Sequence, residues 1–197
     1  AIAGLATMAT ERRHQRFVRD WRHIFANTLL SPDAAAEIAL PKLARRDNVF
    51  LLEEWNRARD MVEGRAVDNL ILLAERTRIR ELAEDLFDQH RFRARILAVQ
   101  TLGHLRNRDY ADEIARLVED DNAALSITAA LALTEIDPDK AVSVVVPLIK
   151  SRRDWPRNRL AQVLRLAGSE RISEPMFRAV RSAEPADQAY LLQFARL

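Results

Sequence analysis

Two segments of this chain, Leu97-Ala98-Val99-Gln100-Thr101-Leu102-Gly103-His104-Leu105 and Ala129-Ala130-Leu131-Ala132-Leu133-Thr134-Glu135-Ile136, share one helical pattern. In both, apolar residues recur at the spacing i, i+4 and i+7, which places them along one side of an α-helix. Equivalent positions lie 31 residues apart. Gly103 is the exception, because glycine disfavours a helix interior. The two segments therefore predict one helix that occurs twice.

The same pattern extends through residues 61–197 in steps of 31 residues. Three apolar columns define a first helix, helix A: Val67, Ala98, Ala129, Leu160, Leu191; Ile71, Leu102, Leu133, Leu164, Ala195; and Ala74, Leu105, Ile136, Ala167. Four columns define a second, helix B: Ile79, Tyr110, Ala141, Ile172; Ala83, Ile114, Val145, Met176; Leu86, Leu117, Leu148, Ala179; and Phe87, Val118, Ile149, Val180. Each repeat is thus predicted to be a pair of amphipathic helices.

Helix-starting signals fall between the predicted helices. Asp137-Pro138 supplies an N-cap and a proline at the first helical position, at the start of the third helix B. Asp109 in one neighbouring unit and Ser169 or Ser173 in the other are the corresponding predicted caps. Pro147 lies inside the third helix B, where it cannot donate a backbone hydrogen bond, so we expect it to kink or shorten that helix.

The period and the helix-A segments resemble the short HEAT-like repeats of many bacterial proteins. The resemblance is closest over residues 94–151 and weaker over 61–93 and 152–197. It implies an all-α fold, an α-solenoid of stacked antiparallel helical hairpins, whose concave face is lined by the B helices and holds partners. Ankyrin and tetratricopeptide arrays are less well supported, because the sequence lacks their signature patterns.

We expect two regions. Residues 61–197 form the HEAT-like array, with units at about 61–91, 92–122, 123–153 and 154–184 and a partial unit at 185–197. Residues 1–60 lie outside the repeat and form an N-terminal helical cap, because an array needs an atypical end unit to cover its core. Within the cap, Ser31-Pro32-Asp33 opens a short helix and Asp47 caps the next one.

No catalytic, metal-binding or cofactor-binding motif is recognisable. The absence of cysteine excludes disulfides, thiolate nucleophiles and cysteine metal sites. The histidines, which are His14, His23, His90 and His104, show no metal-binding spacing. Basic and acidic residues nearly balance, at 31 and 29, which is weak support for a nucleic-acid partner. We therefore expect no enzyme activity and no cofactor, and a protein as the partner.

Arginines at the repeat junctions and on helix B form the candidate interaction surface. Its members are Arg91, Arg93, Arg95, Arg116, Arg153, Trp155, Arg157 and Arg178. Arg116 and Arg178 occupy the helix-B position that holds Pro147 in the repeat between them, and the others lie along one edge of the stack. A basic strip for phosphates is one interpretation. We favour a ladder of ion pairs between repeats, because acidic residues lie near the same edge: Asp120, Asp121, Glu184 and Asp187.

The predicted function is a non-catalytic scaffold for protein–protein interaction. The alternative is a nucleic-acid-binding or DNA glycosylase-like protein, because alkylpurine DNA glycosylases also use HEAT-like arrays, with aromatic residues and an acid. Trp21, Trp55, Trp155 and Asp154 are the residues that such a site would need, although Asp154 is more simply a helix N-cap. Phycobilisome lyases are a second enzymatic relative of such repeats. No residue transfers from either family, and a shared fold does not establish activity.

The first residues predict a membrane-tethered version of this scaffold. Residues 1–9 are uncharged but too short for the ~20 residues that span a bilayer. The arginines that follow are typical of the cytoplasmic side of a membrane helix: Arg12, Arg13, Arg16, Arg19 and Arg22. Residues 1–30 would then be juxtamembrane and the protein cytoplasmic, held at the inner face of the cell membrane by a helix before Ala1. The apolar stripe Phe17, Trp21, Phe25 and Leu29 would dock on the array or lie in the membrane interface; a soluble capping helix is the equal alternative.

Overall fold

The part of the chain that the structure describes consists of helices and the segments that connect them. The computed structural model describes residues 2–89 and 91–194, and no strand occurs within them. The all-α prediction is therefore confirmed. The chain divides into two compact units, Ala1–Thr101 and Leu102–Leu197. This division follows compactness and not the repeat register, so the boundary between a cap at 1–60 and an array at 61–197 stays a prediction.

The first unit contains a long N-terminal helix followed by shorter ones. Its helices are α1 (Ile2–Leu30), α2 (Pro32–Glu37), α3 (Asn48–Asp60), α4 (Arg65–Thr77), α5 (Ile79–Phe87) and most of α6 (Phe92–His104), with a 3-10 turn at Arg45–Asp47. Helix α2 begins directly after Ser31, as predicted. Asp47 occupies the N-cap position of α3, but its side chain accepts no capping hydrogen bond. Its backbone is helical, at φ −100 and ψ −2, whereas a capping residue is normally extended.

The apolar stripe of α1 packs inside the first unit. Of its four residues, Phe17 and Trp21 are buried and their rings stack with centroids 5.3 Å apart, whereas Phe25 and Leu29 are half-buried. Phe17 also lies 6.0 Å from the ring of Phe50 in α3. Behind this layer Trp55 is fully buried and its indole N–H donates to the Leu70 carbonyl oxygen at 3.0 Å. The stripe therefore has a packing role.

The second unit is a stack of helical hairpins, as the repeat predicts. After a 3-10 turn at Arg108–Tyr110 its helices are α7 (Ala111–Leu117), α8 (Ala123–Ile136), α9 (Pro138–Leu148), α10 (Arg157–Ala167), α11 (Ser169–Arg181) and α12 (Pro185–Leu191). Helices A, namely α8, α10 and α12, alternate with helices B, namely α7, α9 and α11. Helix α8 contacts α7, α9 and α10, and α9 contacts α11. Like helices of successive repeats therefore pack side by side, which is the arrangement of an α-solenoid.

The apolar columns form the core of this stack. Leu102, Ile114, Leu133 and Val145 are completely closed to solvent. Some column residues are only half-buried, namely Val67, Ile71, Leu105, Tyr110, Leu148, Ala179 and Val180. Ala195 lies outside the described residues. A 31-residue period thus identifies the buried positions because each repeat presents the same helix face to its neighbours.

The helix caps are partly as predicted. Asp137 caps α9 by accepting from the Lys140 amide at 3.0 Å, with Pro138 at the start of the helix. The prediction for Asp109 was wrong, because Tyr110 occupies the N-cap position of α7 and makes no side-chain capping bond. The side chain of Asn107 caps the preceding 3-10 turn and accepts from the Asp109 amide. Neither Ser169 nor Ser173 caps α11. Gly168 precedes that helix instead, with a φ of +91 that favours glycine.

Pro147 lies at the end of its helix, because α9 stops at Leu148, one residue later. At 11 residues α9 is longer than α5 and α7, the helices B without an interior proline, so the expected kink or shortening stays a prediction. Helix α11 contains a second interior proline, Pro175, that the sequence analysis did not single out.

Gly103 allows the last turn of α6 to approach α8 closely. A Cβ atom built on Gly103 would lie 2.6 Å from both the Cα and the Cβ of Ala132. One residue further on, the Nδ1 atom of His104 lies 2.8 Å from the Oε2 atom of Glu135, its equivalent one repeat later. Gly103 therefore suits this position although it disfavours a helix.

Gly103→Ala should destabilise the protein. In an unobstructed helix the same change would stabilise by about 1 kcal/mol. Here the overlap with the backbone of Ala132 outweighs that gain, and we expect a net loss of about 1 to 3 kcal/mol in the free energy of unfolding. Urea denaturation followed by circular dichroism measures the sign. A stabilised variant would contradict the close approach of the two helices.

Candidate functional site

An open groove lies between α9 and α11, two neighbouring helices B of the second unit. It encloses about 1010 Å³, at the upper end of the roughly 300–1,000 Å³ typical of small-molecule sites. Its apolar floor is formed by Val142 and Val146 of α9 and Leu191 of α12, each at most 6% exposed. A trough of this size between two helices suits an extended ligand such as a peptide segment.

The rim of this groove is mostly cationic. Lys150, Arg171, Arg178 and Arg181 line it together with a single carboxylate, Asp139. Arg171 pairs with Asp139 across the groove, at 3.2 Å between Nε and Oδ1. The residues that line the groove therefore carry more positive than negative charge.

Three of these cations also have contacts on α11 itself. Arg171 pairs with Glu170 at 3.1 Å and Arg178 with Glu174 at 3.5 Å, while the Arg181 guanidinium lies 5.5 Å from the centre of the Phe177 ring. All of these pairs are solvent-exposed, so each adds little to stability.

Two prolines lie on the wall of the groove, Pro147 on α9 and Pro175 on α11. Because proline has no N–H, neither can donate to the carbonyl oxygen four residues earlier in its helix. Those carbonyls belong to Ser143 and Arg171, which also line the groove. Each helix B therefore lacks one of its own backbone donors on this side.

The predicted arginine surface is only partly assembled here. Arg178 lines the groove. Arg116, its equivalent on α7, pairs with Glu113 at 3.3 Å. At the other junction Arg153 pairs with Asp187, and its guanidinium lies 3.7 Å from the centre of the Tyr190 ring. That ion pair fits the ladder between repeats rather than an unpaired basic strip.

Arg157 belongs to the same cluster as Arg153. Its guanidinium lies 5.8 Å from the Tyr190 ring. Arg152, which the sequence analysis did not single out, donates to the backbone carbonyl of Asp120 at 2.7 Å, so Asp120 serves this junction through its carbonyl oxygen. The interaction surface as a whole stays a prediction.

Arg91, Arg93 and Arg95 lie in the first unit. Arg93 donates to both carboxylate oxygens of Glu53 at 2.8 Å. Arg95 is half-buried and its guanidinium lies 5.7 Å from the ring of Phe87. Arg91 lines a smaller hollow with Arg45 and Arg46. The three arginines therefore differ in surroundings and do not form one strip.

Trp155 belongs to the core and not to the interaction surface. It is 2% exposed, and its indole N–H donates to the Ser126 hydroxyl at 2.9 Å. Trp21 and Trp55 are also buried, at 3% and 0%. All three tryptophan rings pack in the interior. They therefore offer no exposed aromatic surface on which a DNA base could stack, as the glycosylase alternative would need.

Asp154 is an ion-pair partner, and its prediction as an N-cap was wrong. Pro156 occupies the N-cap position of α10, and Asp154 instead accepts from Arg152 at 3.0 Å. The hydrogen bond from Arg152 holds the pKa of this carboxyl below its usual value, and burial opposes that shift only in part. Asp154 is therefore ionised at neutral pH, as is Asp112, whose pKa is lowered mainly by its hydrogen bond from Lys140.

The sequence analysis missed most of the groove. It singled out Arg178 and Pro147, but not Lys150, Arg171 or Arg181. A signal was present, because the groove positions on and just after α9 follow helical spacing along one face: Asp139, Val142, Ser143, Val146, Pro147 and Lys150. This face is offset from the buried columns, so the 31-residue columns do not mark it.

Comparison with known proteins agrees with this architecture. Residues 79–165 match the family model described as HEAT repeats. No curated protein and no solved structure matches the chain significantly. HEAT repeats generally act as scaffolds for protein interaction. With its helical hairpins stacked at the predicted period and this match over residues 79–165, the chain contains HEAT-like repeats.

Proposed function

We propose that this chain is a non-catalytic scaffold that binds another protein through the groove between α9 and α11. The observation that carries the proposal is the groove itself, which has a buried apolar floor and a rim of four cations against one carboxylate. An apolar centre within a polar rim is the usual anatomy of a protein interface.

The chemistry of the groove supports binding rather than catalysis. Its ionisable groups are arginines, one lysine and one aspartate, and Asp139 is held by Arg171. This lining contains no histidine and no pair of carboxylates, the groups most often used in acid–base catalysis. The described residues also contain no cluster of three or more histidines or carboxylates that could hold a metal.

Photo-crosslinking in the native cell tests the proposal. A photoreactive phenylalanine analogue at Ser143, which is exposed in the groove, should form a covalent adduct with a protein. The same analogue at Asn158, exposed on helix A α10 and outside the groove, is the matched control and should give no adduct. Adducts from Asn158 alone, or nucleic acid as the adduct from Ser143, would refute a protein-binding groove.

A cytoplasmic location at the inner face of the membrane also remains a proposal. Its support is the arginine-rich surface of α1, where Arg12, Arg16, Arg19 and Arg22 are exposed and could face anionic lipids. None of the described helices has the length and hydropathy needed to cross a membrane. Fractionation of the native full-length protein at low salt tests the location, and recovery in the soluble fraction would speak against it.

A further inference from the structure

We infer that the ligand of the α9–α11 groove is an acidic peptide segment that also carries apolar side chains. The inference rests on the proposed function and specifies the chemistry of the partner. It follows from three features of the groove: its cations, its floor and its prolines.

The cations indicate an acidic ligand. Within the part of the chain that the structure describes, Lys150 and Arg181 have no carboxylate partner, whereas Arg171 and Arg178 are already paired. Arg181 is in the last turn of α11 and Lys150 follows the end of α9, so the unpaired charges lie at the same end of both helices. Helix C-termini attract cations, but that attraction leaves a full positive charge facing the groove. A carboxylate at this end would complement both residues.

The floor indicates a ligand with apolar side chains. Val142, Val146 and Leu191 lie at the bottom of the groove, and the prolines add apolar wall on both sides. Exposed charge pairs contribute little affinity each, whereas an apolar side chain that displaces water from such a floor anchors the complex. A nucleic-acid backbone presents phosphates and sugars and would leave this floor unused.

The prolines indicate a ligand with N–H donors. The carbonyls of Ser143 and Arg171 lack the amide donor that an uninterrupted helix would give them. The Ser143 hydroxyl does not substitute, because it donates to the Lys140 carbonyl at 2.7 Å. A peptide backbone brings N–H groups that suit such acceptors, whereas a phosphate offers only acceptors. A peptide therefore satisfies both the acceptors on the wall and the cations at the rim.

Fluorescence anisotropy with synthetic probes tests this inference on the full chain. The main probe is a labelled peptide of about ten residues in which glutamate and leucine alternate, so that the two kinds of side chain lie on opposite sides of an extended chain. Two matched peptides replace every leucine by serine or every glutamate by lysine, and a single-stranded oligothymidylate of similar length represents nucleic acid. The protein variants are Lys150→Glu combined with Arg181→Glu, and the control Arg165→Glu, which changes an exposed arginine of α10 outside the groove.

The glutamate–leucine peptide should bind saturably to the wild type and bind about tenfold or more weakly to the double variant, while the control variant changes affinity less than about twofold. Both matched peptides should bind more weakly than the main probe. Because all three substituted side chains are exposed, each variant should remain folded. Circular dichroism melts check this.

The inference is overturned if the serine peptide binds as tightly as the leucine peptide, if the double variant retains full affinity, or if the main probe does not bind. Tighter binding of the oligothymidylate with a steep salt dependence would overturn it in favour of nucleic acid. If the peptides do not bind while Ser143 still cross-links to a protein, only the inference of an acidic peptide ligand is refuted, and the proposed function stands. Loss of the cross-link itself would refute the proposed function.

Discussion

Trp155→Ala should cost the protein about 3 to 5 kcal/mol of unfolding free energy, the range found when a buried aromatic side chain is truncated. The indole is 2% exposed and its N–H donates to the Ser126 hydroxyl, which in turn donates to the Val118 carbonyl. Truncation therefore removes packing and a buried donor together, and it leaves a cavity beside α8.

The control for this prediction is Trp155→Phe, which retains an aromatic ring but removes the donor. We expect it to lose clearly less stability than the alanine variant, because most of the ring packing is kept. Urea denaturation of both variants, followed by circular dichroism, gives the comparison. If Trp155→Ala unfolded at the wild-type urea concentration, the residue would be a surface residue, as the sequence pattern first suggested.

Leu133→Ala should cost about 2 to 5 kcal/mol. Leu133 is completely buried in α8, the helix A that packs against α7, α9 and α10. A cavity at this position weakens the packing of one repeat against both of its neighbours. Because α8 is held by three helices, the site can collapse only slightly to fill the cavity.

Leu131 provides a matched control two residues away on the same helix. It is half-buried and lies outside the predicted columns, so Leu131→Ala should cost clearly less than Leu133→Ala. Equal losses for the two variants would mean that the 31-residue register does not mark the core.

The fold was predictable because the repeat imposes the same burial pattern several times. Ile114, Val145 and Met176 occupy one column and are all buried, so the spacing of apolar residues alone identified the face of helix B that packs. The start of α9 was predictable for a similar reason, since Asp137 and Pro138 combine a side-chain acceptor with a fixed φ angle.

The sequence was less informative where several side chains compete for one role. Asn107 and Asp109 can both cap a turn, and the backbone selects Asn107 because its extended conformation brings its side chain to the Asp109 amide. Trp155 superposes on the exposed Arg93 two repeats earlier, but its large ring packs in the core. A column alignment compares positions and carries no information on which side chain fills a particular space.

The groove was harder to predict from the sequence than the helices or their caps, because it depends on tertiary structure. Val142 and Arg171 belong to different repeats, and only the packing of α9 against α11 brings their side chains to one surface. Sequence periodicity predicts the two helices but not the width of the space between them. The interior proline of each helix could be read from the sequence, whereas the fact that both prolines line the same groove could not.

Amide hydrogen exchange of the full chain, alone and with the protein captured by cross-linking from Ser143, tests the central claim most directly. If the groove binds the partner, exchange should slow in α9 and α11 and remain unchanged on the exposed face of α10. Slower exchange in α10 with no change in α9 and α11 would show that the partner binds elsewhere, and the assignment of the groove as the binding surface would be wrong.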